Sequence, residues 1–277
     1  MSFKDQVDVA QQLLSKIEIP LLPKEVLELQ KLFNDSEMPD PVKIKNLIST
    51  NPFLAGELIS LANIPSISNG NPMVIKDIDS AIYRLGNKQL KNFILSIYVK
   101  KILTNNKIKG LSYHSLTIAI IAMEISRYNK FVTSDQAYLL GLMHDIGSFA
   151  LSELDDNYGD SFVGKLFEHY TSHKNEFSKY GTTHSALGYV IAKTWSIPSY
   201  IGQTILLHHE SRIAAIKNDK LRNLVAIIEL AHAIAIRQNR KVRESEENIA
   251  IYKECQRILE LTDDEMENIH VNAFRTG

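Results

Sequence analysis

Leu139-Leu-Gly-Leu-Met-His-Asp-Ile-Gly147 is the stretch on which the reading of this chain turns. Leucines and a methionine on one short segment predict a buried helix, extending over residues 134–153. Into that apolar run the sequence sets His144 beside Asp145. Burying an imidazole next to a carboxylate is unfavourable unless the two are paired or bind a cation. The doublet therefore needs partners, and His114, His184, His208, His209 and His232 each fall on or at the end of a predicted helix. Imidazole suits zinc, iron, manganese and nickel, and a carboxylate adds the hard oxygen donor a hydrolytic metal prefers. The expectation is a scaffold for a divalent transition metal (Fe, Mn, Ni or Zn). The separations run to tens of residues, so spacing alone does not prove that the side chains meet. Taken singly, each histidine reads more readily as a satisfied core or surface residue than as a ligand.

Working outward, helix signals dominate. Val26, Leu29, Leu32 and Phe33 share one face of a helix after Pro23. Asp40-Pro41 and Asn51-Pro52 each pair a capping side chain with proline at the first helical position. Asp77 caps another helix that Gly86 stops, and Asn87 starts a longer one through Ile97. Residues 64–72 are dense in turn formers and read as an ordered loop, a partner surface or a packing segment with equal ease. Residues 104–110 lack an apolar face and read as a joint. Further helices are expected over 112–129, 134–153, 160–175, 180–194, 198–209, 219–239, 244–260 and 262–273, the last opened by the capping box Thr262-Asp-Asp-Glu265. The fold class is all-α: an N-terminal helical lobe over 1–105 packed on a helical bundle over 106–277.

Composition narrows the function classes. A net charge of −1 gives no general attraction to nucleic acid or to an anionic membrane, so neither is an expected partner. No apolar stretch approaches the ~18 residues that span a bilayer. The opening Met1-Ser-Phe-Lys-Asp-Gln-Val-Asp8 is polar where a secretory signal is basic and then apolar. Cys255 has no second cysteine to pair with, which fits a reducing cytoplasm. Nothing resembles a phosphate-cradling glycine loop, and neither a serine nor Cys255 sits in a nucleophile motif. Arg237, Arg240, Lys241 and Arg243 form a small basic cluster, explained simply by cations near a helix C-terminus.

The order His114, His144-Asp145 with Gly147, His184, and His208-His209-Glu210 resembles the HD superfamily of metal-dependent phosphohydrolases. Leu21-Leu-Pro23, Ile48-Ser-Thr-Asn-Pro-Phe-Leu-Ala55, Leu58-Ile-Ser-Leu-Ala-Asn63 and Ala81-Ile-Tyr-Arg-Leu-Gly86 are similar to the HDOD family, the HD-related output domain of bacterial signalling. The likeness runs from about Ile17 to about Ile236. It implies an HD-like bundle in the C-terminal lobe, and His114, His144 and Asp145 as three metal ligands. His184, His208 and His209 then match the extra ligands of binuclear members. His232 stands where the superfamily places its final aspartate, and Glu229, one turn earlier, either supplies a carboxylate instead or, the simpler reading, is an exposed helix acid.

Two further departures concern turnover. Ser148 follows the His-Asp-x-Gly run where catalytic members often carry lysine, a cation that would stabilise phosphate charge in a transition state. No Gly-Tyr-Pro follows His208-His209-Glu210, so the signature of cyclic di-GMP hydrolases is incomplete. The resemblance therefore implies a signal-transduction output or adaptor module. It would act through contacts with a kinase, a response regulator or a second-messenger enzyme, without phosphohydrolase turnover. The rival is a metal-dependent phosphohydrolase acting on a nucleotide or other phosphoester, with His114, His144, Asp145 and His232 on one ion and His184, His208 and His209 on a second.

Overall fold

The computed structural model describes residues 3–36, 39–68, 71, 73–159, 171–209, 212–239 and 244–274. Among them every regular element is helical, so the chain is all-α. Local chemistry accounts for many of the helix starts. Asp40 accepts from the Val42 amide with Pro41 at the first turn, Asn51 accepts from Leu54 with Pro52, and Asp77 accepts from Ser80. Thr262 and Glu265 satisfy each other's backbone amides in the expected capping box. Gly86, at φ 80°, ends Ile78–Leu85. Asn87 lies in a turn, and the long helix begins only at Leu90, running Leu90–Thr104.

The helix Phe3–Leu14 was not among the sequence expectations. It buries only Ala10 and Leu14, and it packs on His184–Thr194, where the Thr182 hydroxyl donates to the Gln6 carbonyl at 2.8 Å. Residues 64–72, read as a loop, contain the helical turn Pro65–Ser68; Asn69, Gly70 and Pro72 lie outside the described residues. The same holds for Glu210, for Arg240, Lys241 and Arg243 of the basic cluster, and for residues 160–170 of the helix expected over 160–175.

The N-terminal helices meet the rest of the chain at defined points. Leu90–Thr104 packs on Ser134–Met143, with the rings of Phe93 and Tyr138 6.2 Å apart and Asn92 donating to the Asp135 carboxylate. Trp195, at the end of His184–Thr194, donates its indole N–H to the Pro20 carbonyl at 2.9 Å, and Gln30 donates to the Trp195 carbonyl at 3.3 Å. Trp195 is thus a corner that seats the Leu21-Leu-Pro23 segment. No helix among the described residues is long and apolar enough to cross a membrane.

Two departures from the expected helices shape the site. The span 134–153 divides into Ser134–Met143 and Ile146–Leu154, with Asp145 at φ −103°, ψ 14° between them. Neighbours on a straight helix point about 100° apart. The break lets His144 and Asp145 face one centre instead. The helix expected over 180–194 starts later than that: Thr171–Tyr180 ends at Gly181, φ 70°, and Thr183 caps a helix whose first residue is His184.

Candidate metal centre

The seven side chains come from six helices, mostly from their ends. His114 lies in Leu111–Ser126 and His232 in Asp219–Gln238. His144 closes Ser134–Met143, Asp145 opens Ile146–Leu154, His184 begins His184–Thr194, and His208 closes Ser199–Leu207 with His209 next. Gly147 makes the decisive approach possible. A Cβ built there would lie 1.9 Å from the His184 carbonyl oxygen and 2.6 Å from the Gly188 nitrogen. With no side chain at 147 the two helices touch backbone to backbone, and Asp145 reaches His184.

The structure gathers all seven in two groups. His144 Nε2 lies 3.3 Å from His114 Nε2, 3.2 Å from His232 Nε2 and 3.0 Å from Asp145 Oδ2. His114 Nε2 is 3.5 Å from the same oxygen. On the other side Asp145 Oδ1 lies 3.3 Å from His184 Nε2 and 3.6 Å from His208 Nε2. His184 Nε2 is in turn 3.4 Å from His208 Nε2 and 3.1 Å from His209 Nε2. Within each group, His114–His144–His232 and Asp145–His184–His208–His209, ligand atoms lie within 4.8 Å of one another. Asp145 straddles the two, one oxygen toward each.

The donor chemistry fits a metal ion. His144 Nδ1 is 2.7 Å from the Gly141 carbonyl and His208 Nδ1 is 2.6 Å from the Ile205 carbonyl. A carbonyl only accepts, so both rings donate from Nδ1, and a neutral ring then turns its Nε2 lone pair inward. The inward lone pair of His144 is 3.0 Å from a carboxylate oxygen, a repulsive contact unless a proton or cation lies between. Zn–N bonds of ≈ 2.0–2.1 Å in tetrahedral geometry put ligand nitrogens about 3.3 Å apart. Four of the nitrogen spacings, at 3.1–3.4 Å, are of that size.

Protonation follows the same logic. Burial holds His114 below its ordinary value and His208 down at about 4. Burial, with the charges of His208, His173 and His184, holds His209 well below it too. Asp145 lies well below the usual carboxylate range: burial opposes this, but the His144 charge and hydrogen bonds from His114, His144 and His184 outweigh it. Burial also opposes the proton on His184, yet the charges of Glu176 and Asp145 raise it to about 10.

Glu176 and His173 are site residues that the sequence did not mark. Both lie in Thr171–Tyr180, a polar stretch with no motif to signal a buried acid. Glu176 is 4% exposed and puts its carboxylate oxygens 3.0 and 2.8 Å from His184 Nδ1. It also accepts from the His184 amide at 2.8 Å and from the Tyr158 hydroxyl at 2.7 Å. The His173 ring is 4.7 Å from that of His209, and its Nε2 is 2.7 Å from the Ser185 hydroxyl. Glu229, the substitute carboxylate considered for His232, is fully buried but outside both ligand groups. Ser148 is buried against the Tyr158 hydroxyl at 3.2 Å.

Comparison with known proteins matches residues 19–211 to the HDOD domain. An uncharacterised protein of Treponema pallidum (strain Nichols) is 27% identical over 206 residues, covering 69% of this chain and 38% of that protein. The chain thus spans well under half the length of this curated relative. A solved HDOD domain protein of unknown function from Geobacter sulfurreducens superposes with a TM-score of 0.72 at 21% identity, covering 99% of each chain. A Shewanella amazonensis SB2B protein described as a candidate metal-dependent phosphohydrolase gives 0.63 at 18% identity, covering 98% of this chain and 99% of that one. At such identities the likeness establishes the fold. His232 lies beyond the matched segment.

Proposed function

Because the chain belongs to the HDOD domain family, we propose that it is a signal-transduction output module acting through protein contacts, with a metal held at the His–Asp centre as a structural or sensing element. One observation carries this reading. Two groups of side chains that could each hold a metal ion share this centre, with one Asp145 oxygen facing each group, yet the position after the His-Asp-x-Gly run is filled by the neutral, buried Ser148 facing Tyr158. This supports a centre that could hold metal while the cation that would stabilise developing phosphate charge is not supplied at that position.

His114, His144 and His232 with Asp145 Oδ2 would hold one ion, and His184, His208 and His209 with Asp145 Oδ1 the other. The donor set suits iron, manganese, nickel or zinc. The lobes at 1–105 and 106–277 would present the surfaces that a kinase, response regulator or second-messenger enzyme meets. The proposed setting is the cytoplasm, where the buried Cys255 stays a thiol.

A second reading, a metal-dependent phosphohydrolase, is favoured by Asp145, whose two oxygens face the two groups, since paired ions, if held there, could clamp both oxygens of a displacement and activate water near a pKa of about 7. Elemental analysis of the purified protein, followed by a phosphoester panel with manganese, iron or nickel added, separates the two. Bound metal without turnover is expected. Metal-dependent turnover abolished by Asp145→Ala would establish the enzyme instead.

A further inference from the structure

Asp135 is a buried acid that neither ligand group uses. It sits in the first turn of Ser134–Met143, the helix that His144 closes. There Asn92, on the N-terminal helix Leu90–Thr104, donates to its Oδ2. Asp135 is 3% exposed, and its Oδ1 meets no donor at hydrogen-bonding geometry among the described residues. The charged groups on the helices packed around it are engaged elsewhere. Lys220 of Asp219–Gln238 holds its ammonium 3.8 Å over the Tyr200 ring, while Asp219 and Arg222 pair with each other. Tyr200 of Ser199–Leu207 bonds to Asn92. From Leu111–Ser126 the buried Glu124 pairs with Arg127, and Lys91 of Leu90–Thr104 donates to Asn34. We infer that Asp135 makes the crossing of Leu90–Thr104 on Ser134–Met143 a proton-sensitive joint, tight while the carboxyl is neutral and looser once it ionises.

Charge is what this crossing tolerates poorly. An ion without a full set of partners is unfavourable to keep from water. Parting the two helices would let water reach Oδ1, and water favours the carboxylate over the neutral acid. Ionisation and separation therefore promote each other. The Asn92 bond and apolar packing oppose them, with the Phe93 and Tyr138 rings 6.2 Å apart. The electrostatics agree: burial raises the Asp135 pKa above the ordinary 3.8, although Thr133, Asn92 and the amides of Asp135 and Gln136 pull it down. A carboxyl raised on folding contributes stability that is complete below its unfolded value and lost as pH rises through the folded one. An exposed acid at a helix N-terminus does the reverse, since negative charge is stabilising there. The joint requires no metal.

The test compares the whole chain as wild type and as Asp135→Asn, which keeps the shape and stays neutral, between about pH 4 and about pH 8. The histidines titrate alike in both, so the difference in melting temperature isolates Asp135. Asp135→Asn should gain on wild type steadily as pH rises across this range. Hydrogen exchange, corrected for its intrinsic dependence on pH, should localise the change. Over residues 90–104 it should be several-fold faster in wild type at the upper end than at the lower, and unresponsive to pH in Asp135→Asn. Should Asp135→Asn fail to fold, Asn92→Ala carries the test. It withdraws a donor from the ionised carboxylate, so its melting temperature should fall more steeply with rising pH than that of wild type. A difference between wild type and Asp135→Asn that stays constant or reverses with pH overturns the assignment. So does exchange over residues 90–104 that responds to pH alike in both, or an Asn92→Ala profile no steeper than wild type.

Discussion

Gly147 stands where two helices cross with no room for a side chain, and the atoms a Cβ would meet are backbone. Backbone cannot swing aside as a lysine tip can, so Gly147→Ala must push His184–Thr194 away from Ile146–Leu154. Its destabilisation should reach or exceed the top of the ~1–3 kcal/mol range usual for overpacking, read as a fall in the denaturation midpoint. Metal uptake should fall with it. His144→Ala tests the doublet itself. The variant leaves Asp145 buried with one fewer partner beside a cavity, which should cost about 3–5 kcal/mol in metal-free protein. An unchanged melting temperature would count against that burial.

At the scale of the element, Asp155 closes Ile146–Leu154 and ties it to Thr171–Tyr180 by accepting from Lys179 and Tyr180. Those bonds, Lys179 first, lower its pKa from 3.8 to about 2. A lowered carboxyl contributes stability above its unfolded value and loses it as pH falls through the folded one. Asp155→Asn should therefore melt lower than wild type at pH 7, and the gap should close between about pH 4 and pH 2. A gap unchanged over that range would refute the pairing.

Elements also show what sequence can and cannot reveal. The caps at Asp40, Asn51, Asp77 and Thr262 were legible because each is settled within a few residues of itself. The break after Met143 was not, since leucines and methionine on one side and isoleucine and alanine on the other continue the apolar run without a Gly or Pro signal at the joint. The histidines and Asp145 stood out because their residue types are costly to bury. Glu176 is costly to bury too, but its helix is polar, and only the fold turns that acid inward.

Across the whole molecule, polar contacts help hold the N-terminal helices to the bundle, and Trp195 makes two of them. Trp195→Phe keeps most of the ring and strands the Pro20 carbonyl, so a loss of about 1–3 kcal/mol is expected, with faster hydrogen exchange concentrated near residues 20–35. A bound metal would act at the same scale. An ion that binds only the folded chain stabilises it by mass action. Chelation should lower the melting temperature, and returning the ion should restore it in proportion to its concentration. No response to chelation in a metal-loaded sample would refute a structural role.

The spread of the seven ligand positions, from residue 114 to residue 232 on six separate helices, also bears on biosynthesis. A ribosome delivers the chain in order, and long loops must close before donors so far apart can meet. While translation is still short of residue 232, the half containing His114 and His144 lacks its third imidazole. A metal held at the proposed centre would then gain its full set of donors only after residue 232 has been made, from whichever ion the cell offers at that moment.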